Sequence, residues 1–137
     1  MKKILFRSVI LVCSVALCHS VSAAIDPDAP SASHHLEEAA AGIHEYLHHN
    51  YGDSYGSHAL EERSTELHGV LHDWQHGEAT EADVDMQMKE VKSAWNNFRQ
   101  TIMPAGLLNA GDYALEELYE EVKDSYKDVR FLLRKAK

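Results

Sequence analysis

Ten histidines occur in this chain of 137 residues, and nine of them (His34, His35, His44, His48, His49, His58, His68, His72 and His76) crowd between positions 34 and 76. None follows. Three pairs, His44 with His48, His68 with His72, and His72 with His76, are spaced i, i+4, which on a helix puts both imidazoles on one face where they can chelate a divalent ion. Imidazole suits copper, zinc and nickel alike, so these are the metals expected. Met86 joins the candidates, because a turn centred near residues 78 and 79 brings His72 level with Asp85 and Met86, and histidine, methionine and carboxylate together suit copper. The candidate metal ligands are thus His44, His48, His68, His72, His76 and Met86. Binding through neutral imidazoles should fade below about pH 6.

Other chemistry fits less well. His44-Glu45-Tyr46-Leu47-His48 has the letters of the zinc-protease helix H-E-x-x-H, but Ile43 and Leu47 are the inward positions, so Glu45 and His48 point outward and the downstream spacing misses the longer protease pattern. Glu45-x-x-His48 and Asp73-x-x-His76 likewise have the letters of a di-iron bundle and the wrong phase. The overall pattern resembles the cytochrome b562-like bundles in architecture only, since Met88 alone lies on an inward stripe and no histidine follows to partner it. With no nucleophile and base, no phosphate loop and no inward carboxylate pair, the chain reads as a non-enzyme. The competing reading is an interaction or structural bundle with no bound metal. Nine imidazoles titrating near pH 6 to 7 would take its charge from about −12 toward −3.

Export is expected from the first 24 residues. Lys2, Lys3 and Arg7 precede an apolar run from Ile4 to Leu17, and Val21-Ser22-Ala23-Ala24 offers small residues for signal peptidase. This places the protein in the periplasm or outside the cell. Cys13 and Cys18 both lie in the removed segment, so disulfides, thiolate metal sites and c-type haem are not expected of the remainder. The full chain has 13 Lys and Arg against 22 Asp and Glu, a formal charge of −9; losing three cations leaves about −12, which disfavours nucleic acid and anionic lipid and favours cations or a basic protein partner. No later stretch is long and apolar enough to span a membrane.

The elements that must position these side chains are helical. Residues 25–32 hold two prolines and no periodicity, and read as a flexible lead-in. From Ser33 to Tyr51, Leu36, Ala40, Ile43 and Leu47 form one stripe. A turn-forming run follows, with Tyr51 and Tyr55 expected as an exposed recognition tip and Ser57 as an N-cap. A second helix runs from His58 to His76, with Ser64 filling a gap among Leu60, Leu67, Leu71 and Trp74, and Gly77 ends it. Thr80 and Asp83 form a capping-box start for a third, striped by Val84, Met88, Val91, Trp95, Phe98 and Ile102. The fourth begins near Asp112. The expectation is an all-α, antiparallel up-down-up-down four-helix bundle over 33–137, after a signal peptide over 1–24. Internal sequence repeats are not evident, although the first two helices and the last two make hairpins of similar size. Folding the first hairpin about residues 53 and 54 would set His44 opposite residues 63 and 64 and His68 opposite Ala40, about 7 Å apart along the axes.

Overall fold

The computed structural model describes residues 25–53 and 55–134; the expected signal peptide lies outside the described residues. Among the described residues there are four helices, α1 (Ala29–Asn50), α2 (Ser57–Gln75), α3 (Glu81–Ile102) and α4 (Tyr113–Arg134), with one 3₁₀ turn at Leu107–Asn109. There is no strand among the described residues, and no helix is long and apolar enough to cross a membrane.

The apolar stripes explain this arrangement. Leu36, Ile43 and Leu47 of α1, Leu60, Leu67 and Leu71 of α2, Val91, Phe98 and Ile102 of α3, and Leu115, Val122 and Val129 of α4 are all fully buried. They join one core. Ser64 fills its gap by donating its hydroxyl to the Leu60 carbonyl at 2.7 Å, so the small polar side chain is buried without an unmet hydrogen bond. Thr80 and Asp83 form the complete reciprocal capping box at the start of α3.

The segment expected to be a flexible lead-in is instead built into the bundle. Ile25 is only 5% exposed and Ala29 is fully buried, and α1 starts four residues earlier than its stripe implies. Pro30 does not prevent this, because it sits in the first helical turn, where its missing N–H has no intrahelical acceptor to lose.

The α1–α2 connection departs most from expectation. The amides of Tyr51 and Gly52 both donate to the Leu47 carbonyl, and Gly52 takes the left-handed conformation (φ +86°) that closes such a helix end. The loop therefore folds back along α1, bringing Asp53 into contact with His48. Gly56, at φ +74°, caps α2 in place of Ser57, which becomes the first helical residue. A Cβ on Gly56 would lie 2.8 Å from Asn97 Nδ2 on α3, so both its conformation and its space favour glycine.

α1 packs closely against α2 and α4, and α2 against α3, whereas the backbones of α3 and α4 stand further apart. Large rings fill that seam: Trp95 of α3 stacks on Tyr126 and Tyr119 of α4 with centroids 5.3 and 5.7 Å apart. Lysines and arginines rim it, among them Lys92, Arg99, Lys127 and Arg130. The cations thus gather on the side away from the histidine hairpin.

Candidate metal centre

Two groups of side chains on the α1–α2 hairpin have the composition of a metal site. His34 and Glu37 of α1 meet His68 of α2, and His58 and Glu61 of α2 meet His44 of α1; in each group one ligand atom per residue lies within 4.8 Å of the others. Nitrogen and oxygen ligands at about 2.0–2.2 Å from a tetrahedral ion are about 3.4 Å apart, so side-chain rotation of about 1 Å would close either group. Two imidazoles and a carboxylate suit the borderline divalent ions and leave a fourth position open.

Each group is held from beneath by a buried serine. Ser33 Oγ donates to the Pro30 carbonyl at 2.7 Å and lies 3.3 Å from His68 Nδ1. Ser57 Oγ lies 3.0 Å from His44 Nδ1, and His44 Nε2 faces Glu61 Oε2 at 3.7 Å. Hydrogen bonds of this kind fix which nitrogen of a histidine remains for an ion. Ring pairs across the hairpin match as well: His34 and His68 have centroids 5.0 Å apart, and His44 and His58 5.1 Å.

Of the residues picked out from spacing, His44 and His68 belong to these groups. His48 is exposed and turned to Asp53, whose carboxyl it holds below the usual range, chiefly through their hydrogen bond. His72 and His76 are exposed and pack as a tilted pair with centroids 4.6 Å apart, and His72 Nδ1 is 3.7 Å from Asp73. Met86 is 59% exposed on α3 and lies outside both groups. The i, i+4 spacing picks partners along one helix, whereas the hairpin brings together residues across two. Both cross-helix pairs, 34 with 68 and 44 with 58, are centred on residue 51 rather than 53 to 54, because the loop folds back.

His34, Glu37, His58 and Glu61 were not reached from single-helix spacing, yet the sequence carries a signal for them. Residues 33–50 and 57–74 align without gaps at an offset of 24, with eight of 18 positions identical. Both read Ser-His-x-Leu-Glu-Glu, then after five positions His-x-x-Leu-His. This corrects the expectation of no internal repeat. The repeated residues are polar as much as apolar, so a search of the apolar stripe alone passes over them.

A second polar cluster ties the hairpin to α4. Tyr46 and Tyr51 donate their hydroxyls to Asp112, at 2.8 and 2.6 Å, while the same carboxylate accepts the Leu115 amide at the start of α4. The tyrosine hydroxyls and that amide hold the Asp112 carboxyl below the usual range. Reciprocally, the bond to Asp112 pushes Tyr51 up to about 12. Tyr51 and Tyr55 are therefore half-buried against the core and not an exposed tip.

No protein-family model matches the chain, and comparison with curated proteins and with solved structures finds no similar protein.

Proposed function

We propose that this protein is exported, loses residues 1–24, and works in the periplasm or outside the cell as an antiparallel up-down-up-down four-helix bundle that binds copper, zinc or nickel for buffering, resistance or sensing. The observation that carries the reading is the pair of cross-helix groups, His34–Glu37–His68 and His44–His58–Glu61. An open fourth position and partly exposed ligands favour exchange of the ion over permanent burial, which suits a buffer or sensor. The excess of acidic residues attracts cations to the surface.

The test is metal content and affinity of the processed protein, purified without a His-tag, against a variant with His34, His44, His58 and His68 all changed to alanine. Near-stoichiometric binding that the variant loses is expected. Weak binding, equal in both proteins, would refute the reading.

One observation favours the alternative of a pH-responsive structural or interaction bundle. His34, His35, His44, His48 and His72 each lie within 4 Å of a carboxylate, so protonation would add ion pairs without any metal. Under that reading, chelator-treated protein would change its stability or oligomeric state between about pH 5 and 8. Unchanged behaviour there would count against it.

A further inference from the structure

We propose that α1 and α2 are two copies of one metal-binding unit, and that their hairpin holds two divalent ions in equivalent sites. Each site would take histidine and glutamate from the Ser-His-x-Leu-Glu start of one helix and the later histidine of the other. This rests on the metal reading above and goes beyond it by assigning the number of ions, the ligand exchange between helices and the role of the serines.

The correspondence runs from sequence to burial. At the offset of 24, Ser33, His34, Glu37 and His44 map onto Ser57, His58, Glu61 and His68. Exchanging the two helices therefore converts one group into the other, residue for residue. Burial follows the same exchange: His34 and His58 are exposed, whereas Glu37, Glu61, His44 and His68 are half-buried. Ser33 and Ser57 are both buried. The apolar anchors repeat too, with Leu36, Ile43 and Leu47 matched by Leu60, Leu67 and Leu71, all fully buried. Shared helical periodicity alone accounts for the leucines. It does not account for identical polar residues that converge, from opposite helices, on two groups of the same composition.

The serines give each unit its chemistry. A serine hydroxyl has one hydrogen to donate, and Ser33 gives it to the Pro30 carbonyl. Toward His68 Nδ1 the oxygen can then only accept, so Nδ1 carries the hydrogen and Nε2 of the neutral ring keeps the lone pair an ion needs. At the other group Ser57 Oγ lies 3.0 Å from His44 Nδ1, and His44 Nε2 faces the Glu61 carboxylate at 3.7 Å. Ser33 and Ser57 are positioning residues, one per site.

Isothermal titration of Zn²⁺ into the chelator-treated, tag-free processed protein tests this. Two ions per chain are expected, with dissociation constants within about tenfold of each other. His34→Ala and His58→Ala, chosen because both side chains are exposed, should each bind one ion at the unchanged affinity of the remaining site, and the double variant none at that affinity. Circular dichroism confirms that each variant folds. A single ion in the wild type, two affinities separated by more than about tenfold, or loss of both ions from one single variant would overturn the equivalence while leaving metal binding intact. No binding by the wild type would overturn the equivalence and the metal reading together.

Discussion

Replacing Ser33 with alanine separates the proposed metal site from the fold that would carry it. The substitution removes one oxygen and with it two hydrogen bonds: the 2.7 Å bond to the Pro30 carbonyl, which keeps the amide of the next turn, and the 3.3 Å contact with His68 Nδ1. A hydrogen bond contributes about 0.5–1.5 kcal/mol net, so losing two costs about 1–3 kcal/mol, and the better helix propensity of alanine returns up to about 0.5 kcal/mol. The net loss is about 0.5–2.5 kcal/mol. At about 4 °C per kcal/mol for a domain of this size, the melting temperature in chelator should fall by about 2–10 °C. The effect on the metal is larger and local. Losing the group that orients a histidine ligand costs about 10–100-fold in affinity, equal to about 1.4–2.8 kcal/mol, and it should fall on the His34–Glu37–His68 site alone. Calorimetric titration of Ser33→Ala should therefore split the binding curve into one site near the wild-type affinity and one weaker, and Ser57→Ala should do the same at the other site. If Ser33→Ala binds both ions as the wild type does, the serine does not set the ligand and the reasoning fails.

Other substitutions test the frame around the site. The clamp of Tyr46 and Tyr51 on Asp112 needs an ionised carboxylate and protonated phenols. The lowered Asp112 pKa contributes stability above the unfolded value of about 3.9, lost as pH falls through the lower folded value. The raised Tyr51 pKa contributes stability below the unfolded value of about 10, lost as pH rises through about 12. Melting temperature plotted against pH should fall at both ends, and Asp112→Asn should flatten the acid limb while Tyr51→Phe flattens the alkaline one; unaltered limbs would discount the clamp. Gly56→Ala forces a side chain into the left-handed region and toward Asn97, and should cost about 1–2 kcal/mol in denaturant unfolding. Leu67→Ala, in the middle of the fully buried stripe of α2, should cost about 2–5 kcal/mol. A value under 1 kcal/mol would mean that α2 does not pack as described.

Much of the fold was legible because the apolar stripe of each helix is nearly unbroken and its ends carry strong local chemistry. Thr80 and Asp83 start α3 as read, and α2 ends just before Gly77. The start of α1 was missed because Pro30 reads as a breaker, although a proline in the first turn breaks no hydrogen bond. The hairpin register does not follow from a symmetric loop, because Gly52 turns the chain back along α1 and shifts the pairing of the helices. That shift decides which histidines meet. The i, i+4 spacing picks out His44 and His68, which fall in the two candidate groups, but it points to partners four residues along the same helix, whereas the neighbours in space lie on the facing one. The 24-residue repeat would have pointed to His34 and His58, since it marks the same polar positions twice.

Crystals of the zinc-loaded processed protein, examined by anomalous diffraction at the zinc edge, test the central claim most directly. The account predicts two zinc peaks on the hairpin, one among His34, Glu37 and His68 and one among His44, His58 and Glu61. Zinc bound instead between His72 and His76 or between His48 and Asp53, with neither group occupied, would contradict it.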